Sequence, residues 1–288
     1  MTTIDFTNKR NNGVGAVLLL GGFDGLHVGH KQLLARAKSF GLPVGVMSIF
    51  GGKSGESLFS QDERLDIFRR VDADFAFALP FEKIKNLTAT EFIEILQKEY
   101  APKAFVCGED FRFGYQAQGT PQTLKALGQV CVEVHEIVMQ DGEKVGATMI
   151  KRLLLQGEIE KANVALGENF FLFGEVFKDR EIGKTLGFPT ANIRYPKEKF
   201  PLKQGVYQTR FWVDGKAYDG LTNYGARPTF DNEDVLTETY LDGFSGDLYG
   251  KKCKVEFIRF LRDVQKFDSV EGLKEQLNKD VRRVKTGD

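Results

Sequence analysis

The feature that most constrains the fold is an alternation, confined to the first half of the chain, between short apolar runs and helical patterns. Val14–Leu20, Val44–Phe50, Phe75–Leu79, Phe105–Cys107 and Val130–Val134 are the apolar runs. This rhythm predicts a parallel α/β sheet. Among the intervening stretches, Thr88 and Glu91 have capping-box spacing, and Phe92, Ile95 and Leu96 follow at helical intervals. A second helical run is Gln32–Ser39.

The second half follows a different rhythm, of strands and tight turns. Val206–Val213, Asp214-Gly215 and Lys216–Thr222 form a hairpin signal, because Asp-Gly supplies the positive φ of a two-residue turn. Lys254–Phe260 reads as a further strand. Near the end, Asp268 and Glu271 have capping-box spacing, and Val270, Leu273, Leu277 and Val281 fall on one helical face. The rhythm changes between Gly157 and Phe173, so two domains are expected, 1–168 and 169–288.

Composition narrows the partners. Among 288 residues, 40 Lys and Arg balance 40 Asp and Glu, which disfavours a field that attracts nucleic acid. Cys107, Cys131 and Cys253 are widely spaced and form no C-x-x-C pair, arguing against a disulfide framework or a cysteine zinc site. The apolar run Ala16–Leu20 is shorter than the usual h-region of about 7–15 residues, and no stretch approaches the roughly 18 apolar residues of a membrane helix. A cytoplasmic protein acting on small molecules, without nucleic acid or membrane partners, is the expectation.

The segment Leu20-Gly21-Gly22-Phe23-Asp24-Gly25-Leu26-His27-Val28-Gly29-His30-Lys31 lies between a strand and a helical run. Glycines let backbone approach phosphate, and a helix start favours an anion. His27 and His30 can donate hydrogen bonds to a phosphoryl group as charge builds in the transition state. Two histidines at this spacing also make a metal half-site, but the chain has three histidines in all and no third ligand in view. His135 has no motif around it. A later loop, Gly183-Lys184-Thr185-Leu186-Gly187-Phe188-Pro189-Thr190-Ala191-Asn192, is not a Walker A loop. Its glycines admit phosphates, and Thr190 and Asn192 offer hard oxygens to Mg²⁺.

Together these segments resemble the bacterial bifunctional riboflavin kinase/FMN adenylyltransferase family over nearly the whole chain. The first resembles its G-x-F-D-G-x-H-x-G-H signature, and Gly108-Glu109-Asp110-Phe111-Arg112-Phe113-Gly114 resembles its G-x-D-F-x-F-G motif. The second loop is followed in family order by Gly205-Val206-Tyr207, Gly225-Ala226-Arg227-Pro228-Thr229-Phe230, Glu238 and Gly246-Asp247-Leu248-Tyr249-Gly250. The resemblance implies a Rossmann-like HxGH nucleotidyltransferase domain followed by an antiparallel β-barrel riboflavin kinase domain with a terminal helix. The substrates it implies are riboflavin, FMN and ATP, with Mg²⁺. It assigns phosphate stabilisation to His27 and His30, and nucleotide binding to Gly22, Phe23, Asp24, Gly29, Thr148 and Lys151 in the first domain. In the second it assigns nucleotide binding to Gly183, Lys184, Thr185, Gly187, Thr190 and Asn192, the last two also holding the metal. Asp110, Phe111, Phe113 and Arg262 are expected at flavin. Glu238 matches the glutamate that takes the proton of the riboflavin 5′-hydroxyl.

The chain also departs from the pattern. Ser48-Ile49-Phe50-Gly51-Gly52-Lys53 stands where the family has a Pro-His-Pro-like segment, and Gly146-Ala147-Thr148-Met149-Ile150-Lys151 stands where it has S-S-T-x-I-R. Two hydroxyls and a bidentate guanidinium are thereby lost. Val264 replaces the acidic residue of L-R-D-E. Adenylylation is expected to be weakened. The alternatives are a riboflavin kinase only, or a non-catalytic flavin- or nucleotide-binding regulator.

Overall fold

The computed structural model describes residues 2–7, 15–51, 56–179, 189–228 and 233–286. They form two compact units, Met1–Met149 and Ile150–Asp288. The first is built on β1 (Thr2–Asp5), β2 (Val17–Leu20), β3 (Val44–Phe50), β4 (Phe75–Pro80), β5 (Ala104–Gly108) and β6 (Cys131–His135), in the spatial order β1-β4-β3-β2-β5-β6. Strands β2 to β6 run parallel, and β1 pairs antiparallel with β4 at one edge. Every residue of β2 is buried, as expected of a central strand covered on both faces.

The connecting helices are α1 (Val28–Lys38), α2 (Gln61–Arg70), the single turn α3 (Phe81–Ile84), α4 (Ala89–Tyr100) and α5 (Pro121–Leu127). The expected Thr88–Glu91 capping box is present on α4. Helix α1 starts earlier than the Gln32–Ser39 pattern, because His27 itself caps it. A small hairpin, β7 (Met139–Gln140) and β8 (Glu143–Lys144), precedes α6 (Ala147–Gln156). From β2 the chain winds to β3 and β4 on one side, then crosses to β5 on the other. The carboxyl ends of β2 and β5 thus flank a topological switch point, where open α/β sheets bind ligands.

The domain boundary expected at 168/169 leaves α6 and α7 (Ile159–Leu166) with the first half. In the compact units α7 and most of α6 belong to the second. Asn163 on α7 is the reason: its Oδ1 accepts from the Phe170 amide at 2.7 Å and its Nδ2 donates to the Phe257 carbonyl at 2.9 Å.

The second unit curls six antiparallel strands, β9 (Phe170–Glu175), β10 (Thr190–Arg194), β11 (Gly205–Val213), β12 (Lys216–Pro228), β13 (Glu233–Leu241) and β14 (Lys252–Arg262), in the order β10-β13-β12-β11-β14-β9. The curl brings its ends together at a bridge, where the Phe177 amide donates to the Asn192 carbonyl at 3.0 Å. The expected hairpin turns at Asp214 (φ 50°) and Gly215 (φ 73°), both left-handed as a type I′ turn requires. In the interior, fully buried Thr209, Thr222 and Thr239 share hydroxyl hydrogen bonds of 2.7 and 2.8 Å.

The terminal helix α8 (Val270–Thr286) lies on the outside of the sheet, with Leu277, Val281 and Val284 against Val206, Leu221 and Leu261. Its cap is one residue from the expected Asp268–Glu271 box: Ser269 Oγ accepts from the Gly272 amide at 3.1 Å. Arg262, expected at flavin, has a different partner. Its Nε and Nη2 donate to Oδ2 of fully buried Asp280 at 2.9 and 2.7 Å, fastening α8 to β14.

Candidate active sites

The turn after β2 is shaped by Gly25, whose φ of 126° lies in territory that other residues rarely occupy. It lets the chain double back so that the Gly25 carbonyl accepts from His30 Nδ1 at 3.1 Å. At the helix start, His27 Nδ1 accepts from the His30 amide at 3.3 Å. The two imidazoles stack with centroids 3.5 Å apart, and buried Phe23 meets His30 edge-on at 4.6 Å. Phe23 pays for this position with a φ of 35°.

Those hydrogen bonds settle the tautomers. A nitrogen that accepts from an amide carries no proton, so neutral His27 is protonated on Nε2. A nitrogen facing a carbonyl must donate, so neutral His30 carries its proton on Nδ1. Both rings are held neutral. Burial lowers the His27 pKa from 6.5 to about 4, with Asp110 opposing and Lys144 reinforcing. Burial, then His27, then Lys144 hold His30 well below 6.5 against the pull of the Gly25 carbonyl.

His27 and His30 face a cleft of about 380 Å³ at the switch point. Gly22, Phe23, Asp24, Gly29, Asp110 and Phe111 line it too, so the first unit gathers these expected residues into one place. A Cβ on Gly22 would meet nothing within 4 Å, which leaves its backbone open to a ligand. Asp24 has an additional task, since its Oδ2 accepts from the Leu58 amide at 2.9 Å. Gly146 and Ala147 contribute the start of α6, so two helix N-termini face the cleft. Thr148 is exposed and is not part of the lining. Lys151 belongs to the second unit, with Nζ 5.1 Å from the centroid of Phe200.

A second cavity of about 570 Å³ adjoins the first, sharing Ile49, Phe111 and Arg112. It is aromatic: Phe81, Phe92, Phe113 and Tyr115 line it, and Phe111 and Phe113 stack at 5.4 Å. Such walls suit a flat conjugated ring. The sequence reading missed Lys144, which lines the first cleft and forms an ion pair with Asp110. The hairpin dipeptide Asp141-Gly142 just before it was the available signal.

In the second unit, Asn192 on β10 stands directly opposite Glu238 on β13, and Glu238 stands opposite Asn223 on β12. Paired residues share a face, as do Thr190 and Asn192 two positions apart. Asn192 is 6% exposed, and its Oδ1 has no hydrogen-bond partner among the described residues. Gly183, Lys184, Thr185 and Gly187, and also Thr229 and Phe230, lie outside the described residues.

Helix N-termini gathered at a topological switch point make an anion site of the kind that α/β phosphate-binding proteins use, and the first unit has that arrangement. The particular family follows from comparison. An FAD synthetase family model matches residues 9–149, and a riboflavin kinase model matches residues 166–287. Relatives named bifunctional riboflavin kinase/FMN adenylyltransferase include one from Haemophilus influenzae, 31% identical over 94% of each chain, and one from Pseudomonas fluorescens, 32% identical over 95% of this chain and 93% of that one. A solved structure from Streptococcus pneumoniae, described as a macrolide-efflux protein, matches with a TM-score of 0.88 at 27% identity, covering 96% of this chain and 97% of that one. Among the described residues here, no helix is long and apolar enough to cross a membrane. The chain belongs to the bifunctional riboflavin kinase/FMN adenylyltransferase family, and both domains of that family are present.

Proposed function

We propose that the second unit phosphorylates riboflavin with MgATP to give FMN, and that the first adenylylates FMN with ATP to give FAD and pyrophosphate. The observation that carries the reading is the buried Oδ1 of Asn192, which has no partner among the described residues and lies directly across from Glu238. A buried acceptor left without a donor is costly, and a hard cation repays it. Asn192 and Thr190 would hold Mg²⁺, which supplies neutralisation of phosphate charge when bound. Glu238 accepts the proton of the riboflavin 5′-hydroxyl as its oxygen attacks the γ-phosphorus and ADP leaves.

In the first unit, the FMN phosphate attacks the α-phosphorus of ATP and pyrophosphate departs. His27 Nε2–H, a neutral donor fixed in direction, bonds to the phosphoryl oxygen on which charge accumulates. The aromatic cavity bounded by Phe111 and Phe113 suits the isoalloxazine ring, and the adjoining cleft suits the nucleotide. Gly146 and Ala147 offer backbone but no hydroxyl, so FAD forms more slowly than FMN.

Chromatography of flavins after incubating the purified chain with riboflavin, ATP and Mg²⁺ tests both halves. FMN accumulating ahead of FAD is expected. FMN without FAD would restrict the protein to kinase activity, and neither product from folded protein would overturn the reading.

A further inference from the structure

We propose that Lys144 is the side chain that meets the nucleotide's phosphates in the first cleft, and that Asp110 holds it in reserve until the nucleotide arrives. The inference rests on the nucleotide reading of this cleft and names a residue of that site which no motif marks.

The need for a cation comes from the loop after β8. Gly146 and Ala147 line the cleft without a hydroxyl or a charge, and both histidines are neutral. Among the described residues, the cationic side chains in the lining are Arg112 and Lys144. Arg112 is turned back on its own loop, with Nη1 donating to the Phe111 carbonyl at 2.9 Å. Lys144 is paired with Asp110, and both side chains are 48% exposed. A half-exposed pair of single charges is weak, and a polyphosphate carries several negative charges, so exchange of partner favours the nucleotide.

The backbone presents Lys144 firmly. Asp141 (φ 51°) and Gly142 (φ 78°) make the left-handed turn of a tight hairpin, and the Val145 amide closes its base by donating to the Val138 carbonyl at 2.9 Å. Val145 is buried and itself lines the cleft. Lys144 therefore stands at the rim on a fixed support, with only its flexible stem left to swing. Its charge is felt by both imidazoles, which places it in the field where phosphate would sit.

The chain offers its own reporter. Of its three histidines, two line this cleft, so the ring signals of His27 and His30 in an NMR titration follow nucleotide binding here even while the kinase site fills. With unmodified protein, ATP should shift these signals. Lys144→Ala should weaken ATP about 10–100-fold, the range one charged hydrogen bond carries, while changing AMP far less. Lys144→Arg should recover most of the loss. Asp110→Asn, which frees the lysine, should tighten ATP several-fold. The His27 and His30 ring signals of each variant, unchanged in the absence of nucleotide apart from the local effect of the substitution, report that the first unit is folded. If ATP moves the signals of the unmodified protein but Lys144→Ala binds ATP equally well, or loses ATP and AMP alike, the proposal is overturned and the nucleotide reading survives. If ATP leaves the unmodified signals unmoved, that reading fails and the proposal fails with it.

Discussion

Replacing His27 with Asn isolates the neutral imidazole at the start of α1. Asn is among the best residues for a helix cap, so its side-chain oxygen keeps the hydrogen bond that His27 Nδ1 accepts from the His30 amide. What the change removes is a titration. The pKa of His27 is about 4 in the folded chain against 6.5 for the free group. Between those values the unfolded chain binds a proton that the folded one refuses, so stability is fully present above pH 6.5 and drains as pH falls toward 4. One proton over that window is worth about 1.4 kcal/mol per pH unit, or about 2–3 kcal/mol in all once the partial exposure of the ring is allowed for. His27→Asn should lack that share of the loss. Hydrogen exchange at the buried amides of β2 reads the opening of this unit specifically and, followed from pH 7 to 4, gives both slopes. Parallel slopes for the two proteins, or a His27 ring signal titrating near 6.5, would refute the assignment of a buried neutral donor.

Three further outcomes are expected. Glu238→Gln should lower kcat for FMN formation by roughly 10²–10⁴-fold if Glu238 is the general base, with riboflavin affinity almost unchanged in an equilibrium titration. Gly146→Ser with Ala147→Ser should raise FAD formation, by roughly 10²–10⁴-fold at most for two charged hydrogen bonds, while FMN formation stays constant in the same flavin chromatogram. The space exists, since a Cβ on Gly146 would meet only Lys144 Cε, at 3.8 Å. Asp280→Asn strands the Arg262 guanidinium against a neutral partner and should cost about 3–5 kcal/mol, seen as a lower Tm by fluorescence of Trp212, the chain's single tryptophan.

The legible parts of this molecule are those with a local cause. Apolar runs and capping boxes announce β3, β4 and α4 because pattern and hydrogen bonding lie within a few residues of each other. The Asp214-Gly215 hairpin is equally local. His27, His30, Asp110 and Phe111 could be read as one site only through motif resemblance, since the sheet order that joins the turn after β2 to the loop after β5 is a long-range property. Asp141-Gly142 signals a hairpin before Lys144, but the site role is hidden for the same reason: a lysine in a short hairpin looks like any exposed charge until the cleft is built around it. The Arg262–Asp280 pair was equally illegible, because a motif arginine beside a strand end gives no sign of a carboxylate that reaches it from the last helix. Helix α7 joins the second unit through Asn163, whose amide bonds to two strands far apart in sequence.

The buried threonines give the curled sheet of the second unit a sense of alignment. Apolar interiors tolerate sliding, because one methyl group resembles another, whereas the hydroxyl chain from Thr209 through Thr222 to Thr239 closes only in one alignment of β11, β12 and β13. Thr222 and Thr239 face one another, and the next residue along β12, Asn223, faces Glu238, which in turn meets Asn192. A slip of one position would orphan three hydroxyls inside the sheet and, in the same motion, turn Glu238 from the outer face to the inner. The threonines therefore act as a ruler. They hold Glu238, the proposed base, in register with Asn192, the proposed metal ligand, and a threonine-to-valine change deep in the interior should be felt first in FMN formation.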